Sequence, residues 1–160
     1  MGTLILGYGN QDRQDDGVAW HIMVDVRKKL KFSDPYQIDE NFDSNNDLVF
    51  VFQLQLMPEM AEEIAGYDRV CFLDAHTGAV QEDVHFEHLS PVYQHSPLTH
   101  HLTANSLLSI IETITKKVPD AVLISVRGHE FGYSNSLSPN TRNLVSLASQ
   151  RVIDWINGLT

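Results

Sequence analysis

Four short runs of apolar residues set the main constraint on this fold: TLIL (3–6), DLVFVFQL (47–54), RVCFLDA (69–75) and AVLISVRG (121–128). Runs with so little polar alternation read as strands buried on both faces. Helix-patterned segments lie between them. Val18, Ile22, Val26 and Leu30 recur every four positions, which predicts a helix over 16–30. MPEMAEEIAGY (57–67) predicts a short helix, with Pro58 suited to its first turn and Gly66 to its end. Residues 103–116 predict an amphipathic helix with Leu107, Leu108, Ile111 and Ile114 facing inward. Ser138 and Pro139 open a last helix as cap and first residue, and Leu144, Leu147, Ala148, Val152 and Trp155 form its apolar face.

VHFEHL (84–89) alternates apolar and polar residues, as an edge strand does. KFSDPYQIDENFDSNN (31–46) is polar and turn-rich, and predicts an irregular connection with a short strand near Gln37–Ile38. Strand and helix in alternation predict a single α/β domain over 1–160. It has three α/β/α layers, with a mainly parallel central sheet of about five strands and helices on both faces.

The chain has 160 residues, 42% of them hydrophobic and 20% charged, which suits one globular core. Its formal net charge of −10 argues against a general nucleic-acid binder and against attraction to anionic membranes. A basic segment or a metal cation is compatible with that charge. Cys71 is the only cysteine, so no intrachain disulfide can form, and its place inside RVCFLDA predicts a small core residue. The apolar stretch after Met1 is short and lacks a basic start, so no secretory signal is expected. No segment approaches 18 apolar residues. The expectation is a cytoplasmic protein, monomeric by default.

Ligands of parallel sheets bind outside the carboxyl ends of the strands. The segments to inspect are therefore Gly9–Gly17, Gln55–Glu59, Asp74–Gly78 and Gly128–Ser138. After the first strand, glycines allow a sharp turn. Asp15 then suits a helix cap, leaving Asp16 to face the crevice. The plain alternative is that both acids only complement the helix dipole. GYGNQD has the first two glycines of G-x-G-x-x-G, but Asp12 stands where the third belongs, and two more carboxylates disfavour a pyrophosphate. Asp74 ends the third run, either as a turn former or as a second acid beside Asp16. Two close carboxylates raise each other's pKa unless a cation relieves them.

His76, His100 and His101 are candidates for a third ligand, whereas His85, His88, His95 and one of the adjacent pair are expected in solvent. Two carboxylates and an imidazole with open positions suit a catalytic zinc or a borderline metal such as nickel. Nucleophilic alternatives are poorer: no G-x-S-x-G elbow occurs, and Cys71 sits inside a strand.

GYGNQDRQDDGVA (7–19) resembles the opening motif of the hydrogenase maturation proteases, the endopeptidases that trim nickel–iron hydrogenase large subunits. QLMPEM (55–60), LDAHTG (73–78), THHLTANSLL (99–108) and VRGHEFGYSNSLSP (126–139) resemble later segments of that family, in the same order along nearly the whole chain. Gly78 comes one residue early, Asp16 stands where some relatives have Glu, and Trp20 stands where many have a smaller residue.

The resemblance implies that Asp16, Asp74 and His100 are the functional ligands, catalytic and metal-binding alike. Leu102 and the pair Leu107–Leu108 set the register from His100, with His101 the neighbouring alternative. It also implies removal of the C-terminal extension of a nickel–iron hydrogenase large-subunit precursor after nickel insertion. The nickel would be supplied by the substrate, and hydrolysis would be metal-assisted. Asp16 or Asp74 could instead serve as general base. The alternative is a non-catalytic module that recognises a nickel-loaded partner.

Overall fold

The computed structural model describes residues 2–42, 45–93 and 101–160. Five strands form one sheet: β1 (Thr3–Tyr8), β2 (Leu48–Gln53), β3 (Arg69–His76), β4 (Val84–His88) and β5 (Asp120–Arg127). Their spatial order is β2-β1-β3-β5-β4, and every pairing is parallel except that of β4 with β5. The three-layer, mainly parallel expectation is thus met, with VHFEH as the antiparallel edge.

The sheet is covered on both faces because successive side chains alternate. Ile5, Cys71, Leu73, Val122, Ile124 and Val126 point to one face, against α1 (Val18–Lys29) and α5 (Val145–Ile156). Leu4, Leu6, Val70 and Phe72 point to the other, against α2 (Ala61–Ile64) and α3 (Ala104–Thr115). Cys71 is fully buried, as its setting requires, and burial pushes its thiol well up. Arg69 ties the start of β3 to the end of α5. Its guanidinium donates to the carbonyls of Trp155 and Ile156 and lies 4.0 Å from the Trp155 ring centre. Cations suit such a helix C-terminus.

Several details depart from the sequence expectation. A 3₁₀ turn, Gln14–Gly17, precedes α1. Ser138 caps the last helical region and Pro139 opens it, but the helix breaks into α4 (Pro139–Arg142) and α5. Leu147 and Ile114 are exposed, 56% and 50%, so neither belongs to the inward stripe assigned to it. Among the described residues the polar connection after α1 forms one isolated bridge, Asp39 to Val51, one residue beyond the short strand expected there. No helix among the described residues is long and apolar enough to cross a membrane.

Candidate functional site

At the carboxyl ends of β1, β2 and β3 the chain turns away from the sheet and leaves a crevice of about 590 Å³. Tyr8, Gly9 and Asn10 line it after β1. Leu54, Gln55 and Leu56 line it after β2, Asp74 and Ala75 within β3, and His101 to Asn105 around the start of α3. Asp16 enters from the 3₁₀ turn. Two of the three predicted ligands therefore share one cavity.

The backbone after β1 makes this possible. Gly9 has φ +140°, and a Cβ there would stand 2.0 Å from the carbonyl oxygen of Asp16. Only glycine lets the strand end pass so close to the acid turn. The Asp16 carboxylate is then held by the Asn10 N–H, which donates to its Oδ2 at 2.7 Å. Asn10 in turn accepts the Asp12 N–H at 2.9 Å, fixing its own side chain.

Asp74 is not at the strand terminus but two residues inside β3, opposite Ser125 of β5. Burial pushes its carboxyl up to about 7, and the charge of Asp16 adds to the rise. Hydrogen bonds from the Ala75 N–H and from Tyr8 act the other way. Burial and Asp74 together push the Tyr8 phenol well above its ordinary value, so Tyr8 remains a donor at neutral pH. Asn10 falls within the Gly9–Gly17 segment marked by the sequence, whereas Tyr8, which steadies Asp74, has no sequence signal beyond its position immediately after the first apolar run.

His101 lines the crevice. His100 and His95 lie outside the described residues. Among the described residues no three His, Cys, Asp or Glu side chains group closely enough to hold a metal ion. The described part of the site thus offers two acids as oxygen donors with an imidazole on the rim. Among the described residues no lysine or arginine lines the cavity. A buried acid raised toward neutrality beside a second acid, with no cation to offset them, suits a site that receives positive charge.

Other candidates fall elsewhere. His76 is occupied outside the crevice: Nε2 pairs with the Glu82 carbonyl at 2.9 Å, and Nδ1 accepts the Gly78 N–H at 3.1 Å. His85, expected in solvent, is half-buried between Glu82 (3.3 Å) and Glu87 (3.1 Å), and the Glu87 hydrogen bond raises its pKa most. Asp15 does not cap α1. Its carboxylate is fully buried and accepts from His129, Glu130 and Ser138 instead. The segment Gly128–Ser138 therefore braces the acid turn without lining the crevice.

The chain has the fold of the hydrogenase maturation proteases. Hydrogenase maturating endopeptidase HybD from E. coli matches it with a TM-score of 0.71 at 15% identity, over 99% of this chain and 93% of that one. NiFe hydrogenase maturation protease HycI from Thermococcus kodakarensis KOD1 matches with a TM-score of 0.60 at 23% identity, over 99% and 91%. The HybD protease from Thermococcus kodakarensis matches with a TM-score of 0.65 at 15% identity, over 97% and 99%. No family model and no curated protein matches the sequence.

Proposed function

We propose that this protein is an endopeptidase that removes the C-terminal extension of a nickel–iron hydrogenase large-subunit precursor once nickel has been inserted. The observation that carries this reading is the meeting of Asp16 and Asp74 in one crevice at the sheet's carboxyl ends. The fold shared with hydrogenase maturation endopeptidases supports the choice of substrate.

The nickel comes with the precursor and is part of the substrate. Held against the site, it would polarise the scissile carbonyl or activate a water molecule. Asp16 and Asp74 bind and orient the metal-bearing segment, and His100 or its neighbour His101 completes the donor set. Asp74, with its carboxyl near 7, also exchanges a proton readily at neutral pH, which suits a general base. Tyr8 and the Ala75 N–H keep that carboxylate oriented.

The test is incubation of the protein with nickel-loaded precursor, followed by mass spectrometry for a released C-terminal peptide. Asp16→Asn, Asp74→Asn and either His100→Ala or His101→Ala are expected to remain folded and to release none. Whichever histidine change abolishes release identifies the ligand. Normal processing by all of these variants would remove the proposal. Tight binding of the precursor without release by the unaltered chain would make this a recognition module instead.

A further inference from the structure

Asp15 is a fully buried carboxylate in a stretch whose next residue faces the crevice. Successive side chains of a 3₁₀ turn diverge by about 120°. That divergence sends Asp15 into the interior and Asp16 into the cavity. Inside, Asp15 gathers donors from the segment that follows β5. The N–H groups of His129 and Glu130 donate to its Oδ2 at 2.7 and 2.9 Å, and that of Ser138 to its Oδ1 at 2.8 Å. The Ser138 hydroxyl donates to Oδ2 at 2.6 Å, and the Thr141 hydroxyl lies 2.9 Å from the same oxygen.

The backbone is fastened to the same segment. The Asp15 N–H donates to the Glu130 carbonyl at 3.1 Å, and the Gln14 N–H to that of Ser134 at 2.8 Å. The Ser134 N–H returns a bond to the Asp12 carbonyl at 3.0 Å, and the Gly132 N–H to Gln14 Oε1 at 2.7 Å. Gln14 itself sits at φ +48°, a left-handed conformation that a non-glycine residue keeps only when its surroundings impose it. A buried carboxylate is costly unless its lone pairs are filled. Here they are filled by groups of a segment that does not itself line the cavity.

We infer that Asp15 is a positioning residue: by collecting the donors of residues 129–141 it locks the turn that aims Asp16 into the crevice. This rests on the reading of Asp16 as an acid that meets the substrate. Asp15 touches no substrate and acts only through its neighbour. Asparagine at 15 would have nearly the same shape, but it would bring an amide donor and lose the charge where donors converge. The turn would relax, and the Asp16 carboxylate would leave the Asn10 N–H.

The test reads that hydrogen bond directly. In the full-length ¹⁵N-labelled chain, the Asn10 amide proton reports its charged acceptor, and Asp16→Asn gives the reference for its loss. Asp15→Asn is expected to move the Asn10 signal toward that reference. Val152→Ala, a destabilising change in the remote core of α5, is expected to leave it in place. In the processing assay Asp15→Asn should lower kcat on the order of ten- to a hundredfold with little change in KM, as misplaced groups do. Should Asp15→Asn fail to fold, Ser138→Ala removes one of the bonds to Asp15, together with the weaker cap bond from the Thr141 N–H, and should shift the Asn10 signal partway.

An Asn10 signal unchanged in the folded variants, an equal shift in Val152→Ala, or an unchanged kcat despite a shifted signal would each overturn the inference. If the signal moves as expected while the unaltered chain releases no peptide, the peptidase reading fails and the locking of the turn by Asp15 stands.

Discussion

Burial, with Asp16 beside it, pushes the Asp74 carboxyl up to about 7. Burial would raise Asp15 as well, but the hydrogen bonds from Ser138, Glu130 and His129 outweigh it and hold that carboxyl at about 2. The two shifts have opposite consequences. An acid raised on folding contributes stability below its unfolded value, and that contribution is lost as pH rises through its folded value. Asp74→Asn is therefore expected to stabilise the fold by about 2–4 kcal/mol near pH 8, with the gain fading toward about pH 4. Thermal unfolding across that range checks it, and the same variant should be inactive. Asp15 is the reverse case. Its contribution, about 2 kcal/mol, is present above about pH 4 and lost as pH falls through about 2. Asp15→Asn should flatten the acid limb of the stability curve, as denaturant titrations at several pH values would read. Asp16 and Asp74 were legible in the sequence because each follows an apolar run into a turn or crevice. The role of Asp15 was not, because its donors lie 114 to 126 residues further along the chain, beyond any local pattern.

The strands and helices followed local rules where those rules are strong. Unbroken apolar runs became the central strands, and the Ser138–Pro139 pair opened a helix where its capping chemistry said it would. The break between α4 and α5 has no glycine or proline to announce it. Ile114 and Leu147 fit an apolar stripe by spacing, but each lies at the stripe's edge, where the neighbouring layer decides whether anything covers them. Two substitutions test how backbone geometry holds the elements. Gly9→Ala places a methyl 2.0 Å from the Asp16 carbonyl oxygen at a φ of +140°. A loss of about 3 kcal/mol or more is expected, together with displacement of the acid turn. Lys116 ends α3 in the left-handed conformation, at φ 60°, with its N–H on the Glu112 carbonyl. Lys116→Gly should stabilise by about 0.5–1 kcal/mol because the Cβ penalty at that cap disappears. Denaturant midpoints of the two variants should therefore move in opposite directions.

Charge is the property of the whole molecule that bears most on its partner. The chain carries a formal −10, and two of its carboxylates stand in the crevice, with no lysine or arginine among the described residues that line it. An anionic partner is repelled at long range and meets no compensating cation on arrival. A segment carrying a divalent metal is attracted on both counts, first by the overall field and then by the acids themselves. The two contributions respond differently to salt. The long-range part is screened once ions shorten the Debye length to roughly 8 Å at physiological strength, whereas charges inside a partly buried cavity are screened less. The dissociation constant for nickel-loaded precursor should therefore rise several-fold as sodium chloride is raised from low to physiological ionic strength. In the double variant Asp16→Asn, Asp74→Asn, binding should be weaker at every salt concentration, while most of the salt dependence persists because the surface field remains. Isothermal titration calorimetry at a series of salt concentrations separates the two. Binding that tightens with salt would mean that the overall field does not attract the precursor, and a double variant that binds the nickel-loaded precursor as well as the unaltered chain does would mean that the acids do not recognise the metal.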